Sequence, residues 1–357
     1  MNSITVLPHR AEGTDWALAF SQLAYVDGCP QITGTIKSEP EDFQVVELMG
    51  FEPDGHGEHL WLWVRKRQQN TEQVAKALAQ HAGVAYRDVS YSGMKDFHAV
   101  TWQWFSVWLP GSQEINWQAF KLDGVEIERV QRHTRKLKRG THQQNQFKII
   151  VRNLHGSMSD LEQRLTRISR EGVPNYFGAQ RFGRQFNNMP LAVSHLCDGI
   201  AIKKRTLKGI AISAARSWLF NQVVSQRVVE SNWNKLLPNE PANLHGSNSV
   251  FVSTGSDDEQ LRLAELDIHP TGPLIGRSRD QISAFEARER SWLDGYQSLI
   301  RGLEEADAAS LRRPLRARVQ DLQWQRDGNQ LELRFTLEAG QFATAVLREC
   351  VVEADQR

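Results

Sequence analysis

Hydrophobic and polar positions divide the chain into a strand-rich start, a helix-rich middle and a strand-rich end. Over the first 155 residues the apolar positions alternate with polar ones, or are rich in β-branched and aromatic residues, as half-buried strands require. This pattern predicts strands over residues 42–49, 59–67, 100–109 and 146–154. Between the second and third strands, Val74, Ala77 and Leu78 share one face of a helix predicted over residues 71–81, which Gly83 ends.

From Ser159 onward the apolar spacing becomes that of helices. Ser159 and Glu162 have the spacing of a capping box, in which two side chains satisfy free N–H groups at a helix start. Gly172 and Pro174 are residues that end a helix. Further helices are predicted over residues 210–230 and 284–305, so the middle of the chain is predicted to be mostly helical.

The last forty residues return to a strand pattern. Residues 322–325 and 331–337 flank a turn with Asp327 and Gly328 at its centre, and a short helix is predicted over residues 341–352. A hairpin and one helix are too small to form a core alone, so this tail is predicted to join the N-terminal sheet. The predicted fold class is α+β. A domain with a mixed or antiparallel sheet, residues 1–170 and 317–357, surrounds a mostly helical insertion, residues 171–316.

Composition narrows the kind of protein. The 357 residues are 40% hydrophobic and 24% charged with a net charge of +1, as in an ordinary soluble protein. Three scattered cysteines without a CxxC pair predict neither a disulfide framework nor a metal site. Neither a signal peptide nor an apolar run of the ~18 residues that a membrane span needs is evident. We therefore expect a cytoplasmic protein with no membrane association.

Positive charge is concentrated in two segments. Residues 129–148 hold seven Lys and Arg residues and no acid, and residues 199–229 are also free of acids. One alternative is a solvated basic hairpin without a partner, but two such segments in a near-neutral chain favour binding of a polyanion such as nucleic acid. The candidate phosphate contacts are Arg135, Lys136, Lys138, Arg139, Lys203, Lys204 and Arg205.

Two further segments carry residues suited to chemistry or to stacking. Gly93 and Asp96 follow a strand-like run over residues 89–92, and an aspartate after a glycine-bearing turn is usually a cap or turn former. Residues 175–183 (NYFGAQRFG) combine two glycines, three aromatics and Arg181. Such a segment is suited either to stacking on unpaired bases or to a packed domain junction, and the residues alone favour packing.

These stretches resemble the motifs of one family, the tRNA pseudouridine synthase D (TruD) family. Residues 175–183 look like its hallmark, and Gly93 to Asp96 with Thr101 and Gln103 are similar to its catalytic motif. Residues 37–47, 132–147 and 339–349 resemble other family motifs, so the likeness spans nearly the whole chain. Phe97, Gln144 and Glu338 depart from the residues that are usual in the family, which are a basic residue, glycine and proline.

The resemblance implies a pseudouridine synthase catalytic domain and a TruD insertion domain. It implies an isomerase that converts uridine, at position 13 in this family, to pseudouridine in tRNA, without metal, cofactor or protein partner. By the same likeness Asp96 is the catalytic carboxylate, and the substrate-binding residues are Phe43, Asn145, Phe342, Lys37 and Phe147.

The chemistry of the reaction agrees with these residue types. A carboxylate can act as nucleophile or as base, and the sequence leaves open which of these Asp96 is. A nearby Lys37 favours the ionised carboxylate. Aromatic side chains hold a base by stacking, worth ~1–3 kcal/mol per base, and Asn145 offers a donor and an acceptor to a uracil edge.

Two other functions remain open from the sequence. The same basic segments suit a non-catalytic RNA-binding or RNA-folding protein, in which Asp96 matters for nothing beyond binding. A nucleoside glycosidase would place two carboxylates around the glycosidic bond and release free uracil.

Overall fold

The computed structural model describes residues 14–111, 114–247, 249–278, 281–306 and 308–354. Its α-helices are α1 (Trp16–Ser21), α2 (Thr71–Ala82), α3 (Met158–Glu171), α4 (Asn188–Leu196), α5 (Arg205–Val229), α6 (Asp257–Ala264), α7 (Ala284–Ser291), α8 (Gln297–Glu305) and α9 (Ala343–Cys350). Within these ranges no helix combines the length and the apolar composition needed to cross a membrane.

The strands are β1 (Ile32–Ile36), β2 (Phe43–Leu48), β3 (His59–Arg67), β4 (Val89–Tyr91), β5 (Val100–Trp108), β6 (Val125–His133), β7 (Gln144–Gly156), β8 (Val173–Pro174), β9 (Pro241–Leu244), β10 (Val250–Val252), β11 (Ile268–Leu274), β12 (Leu311–Pro314), β13 (Arg316–Ala317), β14 (Gln320–Asp327), β15 (Gln330–Glu338) and β16 (Val352–Glu353).

The described chain forms two compact units. The sheet unit consists of residues 30–169, 319–343 and 350–354. The insertion unit consists of residues 14–29, 170–318 and 344–349. Each unit is therefore built from segments that are distant in sequence.

The sheet unit is organised around one large mixed sheet with the order β14-β15-β7-β2-β5-β3-β6. β2 pairs in parallel with β5 and antiparallel with β7, so it lies at the centre. β1 also pairs with β7, and β4 pairs with β5. β6 pairs with β3 and not with β7, so the basic segment between β6 and β7 is not part of a hairpin. The predicted α+β class with a mixed sheet is confirmed.

Helix α2 covers one side of β3 and β5. Val74 and Leu78 of α2 pack on Leu62, Val64 and Phe105, all of which are fully buried. The helix ends because Gly83 takes a left-handed conformation with φ of 66°, which glycine adopts without strain. The alternation of β3 and the helical spacing of α2 were both predicted, and they meet in this core.

The C-terminal tail joins the sheet as predicted. β15 pairs with β7 over eight residues, and Leu331, Leu333, Phe335 and Leu337 are all at most 1% exposed. Because Asp327 already pairs with Gln330, the turn consists of Gly328 and Asn329, one residue later than predicted.

The insertion unit contains a sheet that the sequence pattern did not predict. Beside α4, α5 and α8 it holds a four-stranded sheet with the order β10-β9-β11-β12. Its central strand β11 includes Pro270, Gly272 and Pro273, which are residues that argue against a strand. The helix predicted over residues 284–305 is two helices, because the chain turns at Gly295 with φ of 96°.

Three predicted details need correction. Helix α3 begins at Met158, and Ser157 rather than Ser159 accepts the hydrogen bond from the Asp160 N–H, so the capping box is wrong. Residues 14–29, predicted within the sheet domain, belong to the insertion unit. There Trp16 meets Trp218 edge to face at 4.9 Å between ring centroids. Residues 344–349 also belong to that unit. The two main unit boundaries, after residues 169 and 318, lie close to those of the insertion predicted over residues 171–316.

Candidate active site

Asp96 lies in the connection between β4 and β5, and its side chain is 26% exposed. The backbone beneath it is held by Lys66 of β3, which is fully buried. The Lys66 ammonium donates to the carbonyl oxygens of Asp96 at 2.8 Å, Gln69 at 2.9 Å and Lys95 at 3.4 Å. The side chain of Asp96 thus reaches solvent from a turn that is anchored to the sheet.

Two more buried side chains hold the same turn. The hydroxyl of Thr71 accepts the Lys95 N–H at 3.1 Å and donates to the amide oxygen of Gln103 at 3.1 Å. The amide nitrogen of Gln103 donates to the Gly93 carbonyl at 3.0 Å. The main chain from Gly93 to Asp96 is therefore fixed by side chains from β3, α2 and β5, which we call the turn clasp (Lys66, Thr71 and Gln103).

Burial changes the acid–base properties of this region. The pKa of Lys66 is lowered to about 8, chiefly by burial; the Asp96 carboxylate opposes this shift and the Lys95 ammonium contributes to it. Burial also raises the pKa of Glu47, and the Lys95 ammonium, whose Nζ donates to Glu47 Oε2 at 2.8 Å, opposes that shift.

Lys37 joins Asp96 to an aromatic wall. Its ammonium lies 3.5 Å from Asp96 Oδ2 and 4.2 Å from the ring centroid of Phe43. Phe43 meets Phe147 of β7 edge to face at 6.2 Å, and Phe147 stacks on Phe335 at 5.3 Å. Lys37 has φ of 55°, a left-handed conformation that is uncommon for a residue with a side chain and is found most often at functional sites.

Asn145 extends the wall along β7. It lies two residues before Phe147, on the same face of the strand, and pairs with Glu47 of β2. Asn145 is 8% exposed, and within the described residues no group donates a hydrogen bond to its amide oxygen Oδ1. A buried amide oxygen of this kind is costly unless it finds a donor.

The connections close into a ring. Asp96 contacts Lys37, Lys37 contacts Phe43, and Phe43 contacts Phe147. From Asn145 the ring returns through Glu47 to Lys95, the residue before Asp96. We call this group the Asp96 ring (Lys37, Phe43, Glu47, Lys95, Asp96, Asn145 and Phe147). The structure thus brings together five of the six residues predicted for catalysis and substrate binding.

Phe342, the sixth, lies half-buried between β15 and α9. Leu337, near the end of β15, pairs with Asn145, and the Ala339 N–H donates to the Gln143 carbonyl at 2.8 Å. The turn that carries Phe342 is therefore tied to the end of β7 at which Asn145 lies.

The predicted basic segment of residues 129–148 includes a loop beside the turn that carries Asp96. Arg135, Lys136, Lys138 and Arg139 are all exposed there. The Gly140 N–H donates to the Ser92 carbonyl at 2.8 Å, and the His142 N–H donates to the Ser92 hydroxyl at 2.8 Å.

His142 explains a further constraint on the turn. A Cβ atom at Gly93 would lie 3.1 Å from the His142 ring, so a glycine suits this close approach. Burial, together with a smaller contribution from the Lys95 ammonium, lowers the pKa of His142 to about 4. His142 therefore stays uncharged at neutral pH, beside a turn that presents a carboxylate.

The remaining predicted residues lie in the insertion unit. Lys203, Lys204 and Arg205 are exposed, and Arg205 begins α5. In residues 175–183, Tyr176, Phe177 and Phe182 are at most 5% exposed. The structure therefore supports packing rather than base stacking for these aromatics.

Gln103 was named only as part of a segment similar to the family's catalytic motif, and Lys66, Thr71 and Glu47 were not predicted as parts of the site. One signal was available, because strand alternation places Lys66 on the face of β3 that holds Leu62 and Val64. Because Lys66 lies between Arg65 and Arg67, it resembles one member of an exposed basic run. No grouping of His, Cys, Asp and Glu side chains suited to a metal ion occurs in the described ranges.

Comparison with known proteins shows the family to which the chain is related. The family model "tRNA pseudouridine synthase D (TruD)" matches residues 20–199 and 194–350. The tRNA pseudouridine synthase D of Pseudoalteromonas translucida is 43% identical over 94% of this chain and 95% of its own length. The protein of the same name from Hydrogenovibrio crunogenus is 38% identical over 93% and 96%.

A crystal structure from Methanosarcina mazei that carries the TruD name is similar in fold. Its TM-score is 0.69 at 20% identity, with 92% of this chain and 95% of that chain covered. The family model and the relatives together cover nearly all of the sequence, including every residue of the Asp96 ring. The chain belongs to the tRNA pseudouridine synthase D (TruD) family.

Proposed function

We propose that the chain converts a uridine of tRNA to pseudouridine and that Asp96 is its catalytic carboxylate. Membership of the TruD family supports the class of reaction, an isomerisation of uridine in tRNA. The assignment of Asp96 rests on how its side chain and its main chain are held. Its carboxylate is a quarter exposed and faces Lys37, while its main chain is anchored by the buried Lys66.

The reaction balances without any other reagent. The bond from the sugar C1′ to N1 of uracil breaks, the base turns, and a bond from C1′ to C5 forms. A proton leaves C5 and a proton is taken up at N1, so nothing is oxidised, reduced or lost. A carboxylate that acts as nucleophile or base is sufficient in kind for these steps.

The Asp96 ring also offers groups that suit uracil. The amide oxygen of Asn145, which no described group satisfies, can accept the N3–H of the base. Phe43 and Phe147 supply an apolar wall, and we propose that Phe342 stacks on the detached base. Holding the base is necessary because it must stay in place while it turns.

The exposed cations support a proposal for how tRNA is bound. The loop with Arg135, Lys136, Lys138 and Arg139 is hydrogen-bonded to the strand end that leads to Asp96. We propose that it contacts phosphates beside the target nucleotide, and that Lys203, Lys204 and Arg205 supply a second contact from the insertion unit. This gives the unit predicted as the TruD insertion domain a role in holding RNA.

Two finer points belong to the proposal. By family likeness the target is uridine 13 of tRNA. A cytoplasmic location is also proposed, supported by the presence of free thiols at Cys29, Cys197 and Cys350.

The test is incubation of the purified chain with unmodified tRNA transcripts, followed by mapping of pseudouridine along each transcript. We expect modification at position 13 and none in a transcript with cytidine there. Modification at another uridine would contradict the position but not the reaction.

The same reaction mixture separates the alternatives. A nucleoside glycosidase would release free uracil and leave an abasic site, and a non-catalytic RNA-binding protein would give no product. Glu47 argues against the first, because its carboxylate is buried and paired with Lys95 rather than exposed opposite Asp96. Free uracil in amounts matching the loss of uridine would overturn the proposed function.

A further inference from the structure

Lys66 is an unusual residue for the interior of a sheet. It is 0% exposed, and a lysine is almost never fully buried unless its charge is balanced. Its hydrogen-bond acceptors within the described residues are three carbonyl oxygens and no carboxylate. Burial of a positive charge against neutral groups costs stability, so this arrangement calls for an explanation beyond folding.

The number of donors matches the number of acceptors. A charged lysine has three N–H donors, and Lys66 uses them on the carbonyls of Gln69, Lys95 and Asp96. Two of these carbonyls belong to the turn that presents the Asp96 carboxylate. A neutral amine has two donors and a lone pair, so it would release one carbonyl and direct the lone pair at an oxygen.

We propose that Lys66 is a positioning residue for pseudouridine formation, which in its charged form fixes the turn so that the Asp96 carboxylate meets the substrate. The inference rests on the proposed role of Asp96. Lys66 does not touch substrate, because its side chain is fully buried. Its effect is therefore on the chemical step and not on the binding of tRNA.

The charged groups around Lys66 are few. Asp96 favours its charge and Lys95 disfavours it, and these two are themselves paired with Lys37 and Glu47 respectively. The side chains opposite Lys66 in the sheet are uncharged, namely Thr101 on β5 and Val125 on β6. Thr71, which begins α2, is uncharged as well.

The protonation state of Lys66 therefore changes at mildly alkaline pH. Its pKa is lowered to about 8, chiefly by burial, so the charged form is lost as the pH rises through that value. Below it the three hydrogen bonds are complete, and above it they are not. We expect the rate of conversion of bound tRNA to fall about tenfold per pH unit above this point, as loss of one essential proton requires.

The experiment measures single-turnover conversion of tRNA at saturating wild-type protein between pH 6.5 and 9.5, with tRNA affinity and melting temperature measured alongside. The expected result is a level rate up to about pH 8 and a fall above it, while affinity changes less than threefold. A rate that stays level to pH 9.5 would overturn the proposal.

Three variants identify the group that titrates. Lys66→Gln should convert bound tRNA at least 100-fold more slowly than wild type at pH 7, without the fall near pH 8, and with tRNA affinity unchanged. Lys76→Gln removes the same charge from an exposed position of α2 and should match wild type throughout. Thr71→Val weakens the turn without removing a titrating group, so it should be slower yet keep the fall near pH 8.

The outcomes separate this inference from the proposed function. If wild type makes no pseudouridine, the proposed function fails. If wild type is active and Lys66→Gln folds and is equally fast, or keeps the fall near pH 8, only the positioning role fails. Should Lys66→Gln not fold, Lys66→Arg takes its place. Its guanidinium stays charged at every pH tested, so a fall near pH 8 that persists in Lys66→Arg overturns the proposal.

Discussion

Two segments of this chain have the most distinctive sequences, yet they differ in what they expose. In residues 93–96 the main chain is clasped by buried side chains, and the Asp96 side chain reaches solvent. In residues 175–183 the aromatic side chains are themselves buried, and the Phe177 N–H and carbonyl both bond to the Asn221 amide. The first segment is built to present a group, and the second is built to be packed.

The difference teaches that a distinctive motif does not by itself mark a reactive site. Packing also demands particular residues, since a Cβ atom at Gly178 would lie 2.6 Å from the Thr344 hydroxyl oxygen. What distinguishes the two segments is whether the polar side chain or the polar backbone remains available. Four variants separate residues that serve the chemistry from residues that serve packing or tRNA binding, from the largest expected effect to the smallest.

Asp96→Asn should have the largest effect. It keeps the shape of the side chain but removes the charge that the chemistry needs, so turnover should fall by roughly four orders of magnitude. The clasp holds main-chain atoms, so the melting temperature should stay within a few degrees of wild type. Single-turnover conversion and thermal unfolding of the same sample measure both. Substantial turnover by a well-folded variant would remove Asp96 from catalysis.

Phe182→Ala should instead act on stability. Phe182 is 0% exposed and meets Trp218 edge to face at 5.5 Å, so its loss leaves a cavity and should cost about 3–5 kcal/mol in the free energy of unfolding. The control is Phe97→Ala, since Phe97 is 39% exposed and its removal should change stability little. Urea unfolding measures both. A stable Phe182→Ala protein that binds tRNA poorly would show that this segment stacks on bases after all.

Asn145→Ala should weaken recognition of uracil. Loss of one hydrogen bond to the base is worth about 1–3 kcal/mol, so kcat/KM should fall about 10- to 100-fold while tRNA affinity is nearly unchanged. Gln146→Ala is the matched control, because Gln146 is exposed and its side chain points to the opposite face of β7. Equal activity of the two variants would argue against a role for Asn145 in the site.

Replacement of Arg135, Lys136, Lys138 and Arg139 by serine should have the smallest effect on the chemistry. Affinity for tRNA should weaken, and the slope of log affinity against log salt should decrease by about one per lost phosphate contact. Conversion of fully bound tRNA should match wild type. Serine at the exposed Lys76 and Lys121 serves as the control for charge alone. An unchanged salt slope would show that the loop is merely solvated.

The sequence predicted best where local pattern and tertiary role agree. β3 was predicted at its observed bounds, and the buried face of β15 followed from its alternating leucines. β11 was missed because Pro270 and Pro273 are unfavourable in strands, and its place in the sheet comes from pairing with β9 and β12. Residues 14–29 were placed in the wrong unit, because no local pattern encodes the contact of Trp16 with Trp218.

For the site, the sequence indicated which residues take part, but it did not indicate the hydrogen bonds that hold them in place. Likeness to a family singled out Asp96 and the aromatic wall, and the structure brings these residues together. Lys66 and Thr71 were not predicted, and Gln103 was named only through a family motif, because all three act on backbone groups of residues 69 to 96. Hydrogen bonds between a side chain and distant backbone leave no periodic trace in a sequence.

The pairing of β7 with β15 has a consequence for how the protein is made. About 170 residues of chain separate the two strands, and at ~5–20 residues per second a ribosome needs roughly 10–35 s to synthesise them. During that time one edge of β7 lacks its neighbouring strand. The apolar side chains of Phe147, Ile149 and Val151 also lack Leu333 and Phe335, which lie beside them in the finished sheet. The sheet that carries the Asp96 ring is thus completed only at the end of translation. Until then β7 presents an open strand edge to the other nascent chains of the cell.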